Sequence, residues 1–306
     1  MNVLDEELAL NYDLVILGLG YESRSIYSYE VNGFNGKKCI ALGYDTLTEA
    51  LAYQENKQYF EQRNVTVFEG DNESILTFMS QVLNDILHDV GSPPNVFLDI
   101  SVMSRPRLAL VMMQLFDSLP ESSYITISYS ISGYLPPPDK STPLVHVGPL
   151  LDELSGGVGG INKPVSLVIS LGYEKNKALG IANYFDCKPE FIFCLIPISE
   201  EERFEEDVLK NNQGLLSSVP EENIFRYDTN NPYDTYLNLK ELYFSLNRFS
   251  RPVFVPLGPK IISVINVILG KELFPHLPVW RMSSNHSETP VDRTSRGQQI
   301  KLTVKL

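Results

Sequence analysis

NVFLDISVMSRPRLALVMMQL, residues 95–115, decides the fold class: an unbroken apolar run stops at Asp99, a short polar turn follows, and an apolar helix pattern begins directly after it. An apolar run without polar alternation marks a strand buried on both faces, as parallel strands covered by helices are. In such sheets the strand-to-helix loop lies at the carboxyl edge, where helix N-terminal amides and nearby cations hold anions. Ser101, Ser104, Arg105 and Arg107 bring hydroxyls and positive charge to this loop. A second stretch, RPVFVPLGPKIISVINVIL (251–269), has the same layout, with Gly258, Pro259 and Lys260 in its turn.

Outward from these two stretches, strands and helices alternate. In the first half the spacing predicts strands over 13–17, 38–42, 65–68, 96–100 and 124–130. Helices fall between them, among them 46–63 with Leu47, Leu51 and Tyr59 on its apolar stripe, and 74–90. Pro136, Pro137 and Pro138 lie in a loop or arm before a short strand over 144–147. The glycine-dense segment SGGVGG (155–160) reads as the domain boundary. The second half restarts with strands over 165–171, 191–196, 224–227, 253–257 and 279–282 and ends on an alternating edge or hairpin strand over 299–304, with helices over 200–210, 233–249 and 261–269. The segment 283–297 reads as a long surface loop.

This rhythm specifies an α/β protein of two tandem Rossmann-like, doubly wound parallel sheets related by internal duplication, with domains 1–154 and 161–306. The clearest internal match is Leu19-Gly20-Tyr21-Glu22 against Leu171-Gly172-Tyr173-Glu174, each directly after the first strand of its half and followed by a basic residue, Arg24 or Lys175. With strand order 3-2-1-4-5, strands one and four adjoin, and their loops face a shared crevice in each half. Glu22 and Glu174 then suit ribose hydroxyls, because a carboxylate accepts from them and repels phosphate. Arg24, Arg105, Lys175 and Lys260 suit the phosphate. The alternative for both glutamates is a first-turn carboxylate that complements the helix dipole. For Arg107 the helical direction points to solvent.

Composition narrows the function. Twenty-five Lys and Arg against 38 Asp and Glu give a net charge of −13, which repels a polyanion and argues against bulk nucleic-acid binding. A local basic pocket is compatible with this, since charges beyond a Debye length of about 8 Å are screened. Cys39, Cys187 and Cys194 read as reduced residues, which suits a cytoplasmic protein. His88, His146, His276 and His286 show no metal-ligand spacing. No apolar run approaches the roughly 20 residues of a membrane span. Gly18-x-Gly20 lacks the third glycine of the dinucleotide fingerprint and no GxxxxGK[ST] occurs, so the signatures of NAD, FAD and Walker-type ATP binding are missing and no cofactor is expected.

LDISVMSRPRLALVMM (98–113) resembles the strand-four signature of CARF domains: an apolar strand ending in Asp, a Thr/Gly-rich turn, a Lys or Arg, and an apolar helix. This chain has Ser101-Val102-Met103-Ser104 in the turn, and Leu257-Gly258-Pro259-Lys260 in the second half has no Asp before it. Two such units in one chain resemble the SAVED arrangement of bacterial antiviral signalling proteins. The resemblance implies that a cyclic or linear oligonucleotide, or another nucleotide, binds in the crevices, and that the chain is a regulatory subunit of a defence-type system. With both halves taken up by the two sheets, a partner effector protein is implied. Two other classes are open: a nucleotide-cleaving hydrolase, of ring-nuclease or glycosidic-bond type, with Glu22 or Glu174 as general base, and a non-catalytic scaffold.

Overall fold

The structure is a computed structural model that describes residues 1–5, 8, 10–34, 36–137, 146–157, 160, 162–283 and 289–306. The chain divides into two compact units, Met1–Gly133 with Glu288–Leu306, and Tyr134–Ser287.

The first unit begins with strands β1 (Asn2–Leu4), β2 (Leu14–Gly18), β3 (Lys38–Gly43), β4 (Thr66–Glu69), β5 (Asn95–Asp99) and β6 (Tyr124–Ser132), and helices α1 (Tyr27–Asn32), α2 (Tyr53–Glu61), α3 (Asn72–Asp89) and α4 (Arg105–Ser118). All five residues of β2 are buried, as its unbroken apolar sequence requires. Val15, Leu17, Cys39, Ala41 and Phe97 meet Tyr29 and Phe34 from α1 and its exit, and Tyr53 and Phe60 of α2. By strand alternation Leu14, Ile16, Ile40, Leu42 and Leu98 project from the opposite face. Asp71 caps α3 by accepting from the Ser74 N–H at 2.8 Å, and Ser104 caps α4 by accepting from the Arg107 N–H.

The second unit contains β7 (His146–Pro149), β8 (Val165–Ser170), β9 (Ile192–Ile198), β10 (Ile224–Asp228), β11 (Arg251–Pro256) and β12 (Trp280–Ser283), with helices α5 (Lys177–Tyr184), α6 (Glu202–Asn211), α7 (Gln213–Leu216), α8 (Pro232–Leu246) and α9 (Lys260–Glu272). Four parallel strands run in the order β10-β9-β8-β11, and β7 and β12 form a separate antiparallel ribbon. Leu167, Ile169, Cys194, Ile196 and Val253 share a core with Ala178, Ile181 and Val208 of α5 and α6, against which Val147, Trp280 and Met282 of the ribbon pack.

The chain returns to the first unit with β13 (Ser295–Lys305). The first sheet therefore reads β1-β13-β6-β5-β2-β3-β4: five parallel strands in the expected order, extended by β13, antiparallel to β6, and by β1, antiparallel to β13. Three expectations change. The alternating run 299–304 leaves the second half, which was read as 161–306, and pairs with β6, Thr126 opposite Thr303. Alternation signals a strand with one buried face and cannot name its neighbour. The run 279–282 pairs with β7 from Trp280 on, and its backbone link to the second sheet is one parallel bridge between Val279 and Phe254. Leu47 and Leu51 do not line a helix. Both have positive φ, 58° and 47°, and are exposed in the turns before α2. Pro138, residues 144 and 145 of the expected short strand, Val158 and Gly159 of the glycine-dense segment, and residues 284–288 of the expected loop, including His286, lie outside the described residues.

Candidate functional site

In the first unit the β2 turn and the β5 turn pack directly on each other. A Cβ at Gly18 would stand 2.8 Å from Val102 Cγ2, and one at Gly20 would stand 3.1 Å from Val102 Cβ. These glycines make room for a valine at the junction of the two turns. Ser25 Oγ donates to the Gly18 carbonyl at 2.9 Å and accepts from the Gly20 N–H at 3.3 Å. Asn56, buried within α2, donates from Nδ2 to both the Gly20 and Glu22 carbonyls, at 2.8 and 2.9 Å.

The charged residues of this turn are bound to the protein. Arg24 donates from Nε to Glu22 Oε2 at 2.6 Å and from a terminal nitrogen to the Ser130 carbonyl at 2.7 Å. Burial pushes the Arg24 pKa down, and the nearby Tyr129 and Glu22 more than offset it, leaving the pKa raised. The other oxygen of Glu22 faces Arg293 at 3.4 Å, and the neighbouring Asp292 carboxylate accepts from the Ser23 N–H and hydroxyl at 2.7 and 3.0 Å. Tyr21 packs at the rim of the α1–α2 core.

At the β5 turn, Ser101 is fully buried. Its hydroxyl donates to Asp99 at 2.5 Å and accepts from the Ser130 N–H at 2.8 Å, so it ties β5 to β6. Ser104 is exposed. Its hydroxyl caps α4 and its N–H donates to the Tyr44 hydroxyl at 2.8 Å. Arg105, the first residue of α4, is half-buried. Arg107, expected at the surface, is buried: it donates to the Gly43 and Gly70 carbonyls at 2.7 and 2.8 Å and to Asn72 at 3.1 Å, stacked 3.6 Å from the Tyr44 ring centre. A guanidinium's fixed fork of donors matches the carbonyls left at the ends of β3 and β4.

In the second unit the corresponding turns also touch, through backbone. A Cβ at Gly172 would fall 2.5 Å from the Leu257 carbonyl oxygen, and one at Gly258 would fall 2.8 Å from the Tyr227 hydroxyl and 3.0 Å from the Leu171 oxygen. Asn212 donates to the Gly172 carbonyl at 2.8 Å and Asn211 to the Tyr173 carbonyl at 2.7 Å. An asparagine thus holds the carbonyl of the matching glycine, Gly20 or Gly172, in each unit.

The polar groups here are more open. Glu174 pairs with Lys177 at 3.1 Å with both side chains partly exposed, and Lys175 is exposed. Tyr173 lies 5.9 Å from Phe204, which meets Tyr134 edge-on at 5.2 Å. Arg203 stacks 4.4 Å above the Tyr134 ring, and the Tyr134 hydroxyl donates to Asp207 at 2.6 Å, an interaction that raises its pKa. Lys260 opens α9. Where Ser104 caps α4, Pro259 occupies the cap position of α9 and supplies no side-chain hydrogen bond.

Sequence reasoning missed Val102, Asn56, Asn212, Asp292 and Phe204. Asn56 left a trace: Tyr53, Asn56 and Phe60 form the buried stripe of α2, so an amide stands where an apolar residue is expected. Among the described residues no group of three or more His, Cys, Asp or Glu is placed to hold a metal ion, and no helix is long and apolar enough to cross a membrane. A cavity of about 390 Å³ flanks the edge strand β4, lined by Phe68, Glu73, Ser74, Thr77, Phe78 and Gln81, with none of the turn residues in its wall.

No protein-family model matches the chain, and no curated protein matches it. Among solved structures, the crystal structure of the cytoplasmic domain of a prokaryotic cation chloride cotransporter aligns over 91% of this chain and 98% of its own, at 11% identity and a TM-score of 0.25. A likeness this low carries no argument about fold or activity.

Proposed function

We propose that the chain senses a phosphorylated nucleotide at the carboxyl edge of the four-stranded sheet and acts through a partner protein rather than by turning its ligand over. The observation that carries this reading is the contrast between the two helices that follow the paired turns. In the first unit α4 is capped by Ser104, and Val102 fills the space beside Gly20. In the second unit α9 begins at Lys260 behind Pro259, which supplies no side-chain cap, and no side chain like Val102 separates Gly172 from the Leu257 carbonyl. A helix N-terminus and a lysine suit a phosphate. Tyr173 and Phe204 offer rings for a base, and Glu174 offers a carboxylate for ribose hydroxyls.

A sensing role rather than turnover is favoured because Glu22 is held between two arginines and Glu174 is paired with Lys177. The shared order of the first four strands and the repeated asparagine clamp support an origin by internal duplication, with the first-unit crevice having become structural. The cytoplasmic setting and the defence context implied by the CARF and SAVED resemblance belong to this proposal.

The test is to incubate the full chain with adenosine mono-, di- and triphosphate and with cyclic oligoadenylates, measure binding calorimetrically, and examine the ligand afterwards. Intact ligand bound by the wild-type chain and weakened about tenfold or more by Lys260→Ala, the scale of a charge-assisted hydrogen bond, supports the reading. Cleaved ligand selects the hydrolase, with Glu174 as the next residue to replace. No binding by any probe overturns nucleotide sensing.

A further inference from the structure

The β7–β12 ribbon has two unlike faces. Val147, Trp280 and Met282 pack on the second unit's core. Side chains alternate along each strand, so His146, Gly148, Arg281 and Ser283 share the face turned away from that core. Arg281 stands directly opposite Gly148, and Ser283 opposite His146. Because Gly148 has no side chain, the His146 ring lies over it: a Cβ there would stand 2.8 Å from His146 Nε2. Opposed residues in an antiparallel pair have Cβ atoms about 5 Å apart, which makes the imidazole and the arginine stem neighbours.

Among the described residues, Arg281 Nε is buried and has no hydrogen-bond partner. Arg24 and Arg107, by contrast, spend their buried donors on carbonyls, a carboxylate and an amide oxygen. Burial pushes the Arg281 pKa down. A buried guanidinium donor without an acceptor is costly, and a bound anion is one of the few ways to satisfy it. We propose that this face of the ribbon is a phosphate-binding site, with Arg281 as anchor, His146 as second donor and the Ser283 hydroxyl as third. Three side chains on two paired strands supply several donors to one face, which suits the several oxygens of a tetrahedral anion. The site shares no residue with the Lys260 turn, so it stands or falls independently of nucleotide sensing.

The experiment is NMR on the ¹⁵N-labelled full chain, following arginine Nε–H signals during titration with inorganic phosphate and, separately, acetate at matched ionic strength. Arg281→Lys, which keeps the charge and deletes the Nε–H, assigns the signal. The proposal expects the Arg281 signal to shift saturably with phosphate and less with acetate. It also expects phosphate affinity to fall about tenfold or more in Arg281→Gln and to fall in His146→Gln. Lys260→Ala should leave the shift intact. A signal that does not move, a shift that never saturates, or equal response to acetate overturns the site. Should Arg281→Gln fail to fold, the wild-type titration alone decides.

Discussion

Arg24 is bonded to Glu22, two residues before it, with Nε and Oε2 2.6 Å apart and side-chain exposures of 3% and 9%. This turns a carboxylate nominated as ribose ligand or general base into half of a buried ion pair, and the guanidinium is further committed to the Ser130 carbonyl. Removing one partner of a buried pair leaves an uncompensated charge. Arg24→Met should therefore lower unfolding free energy by about 3 kcal/mol, read as a shift in urea midpoint. Glu22→Leu combined with Arg24→Met should cost less than the sum of the two single changes. An unchanged midpoint in Arg24→Met would show that the pair is not structural.

Gly18 and Val102 form the second contact to test. Gly18→Ala places a methyl 2.8 Å from Val102 Cγ2, and overpacking of this kind costs about 1–3 kcal/mol. Val102→Ala in the same chain should recover most of it, giving a favourable coupling in a double-mutant cycle. Additive effects would mean that the glycine serves something other than the valine.

The strands were legible because parallel strands buried on both faces write themselves as unbroken apolar runs, as 14–17 and 96–98 do. Partner choice was not. Gln299–Val304 reads correctly as a strand but not as an edge one: β13 lies between β1 and β6 with Leu302, Thr303 and Val304 all buried, and nothing local records a pairing between Thr126 and Thr303. The turns were found by the repeated Leu-Gly-Tyr-Glu, but whether their charges face inward is decided by residues far along the chain: Ser130, Asp292 and Arg293 for the first turn, Gly43 and Gly70 for Arg107. A side chain's type is in the sequence, while its partner is set by the topology.

The three thiols should be inert. Burial pushes Cys39 and Cys187 up to about 11 and Cys194 up to about 12. The thiolate is the reactive form, so at pH 8 only roughly one molecule in a thousand presents it at Cys39 or Cys187. The native chain should react with a thiol-specific disulfide reagent at pH 8 far more slowly than the urea-unfolded chain. The rate should rise as pH climbs toward 11. Rapid labelling of one thiol in the native chain at pH 8 would contradict these environments.

Asn56 and Asn212 hold the two Gly-Tyr-Glu turns through their side-chain amides. Asn56 is 3% exposed, and its Nδ2 serves two carbonyl oxygens, so Asn56→Ala strands two acceptors and should cost about 1–3 kcal/mol. Asn56→Asp is more informative. An ionised carboxylate cannot donate and would face those oxygens in a buried site, whereas the protonated acid restores one donor. The folded state thus raises that acid's pKa above its unfolded value. Relative to wild type, the variant's deficit should be smallest below the unfolded pKa and grow as pH rises through the folded one. Asn212→Asp should behave alike, since Asn212 donates to Gly172 and Val208 from an equally buried position. Urea midpoints measured between pH 4 and pH 8 decide it, and a deficit independent of pH would show that the amide nitrogens are not the donors that hold these turns.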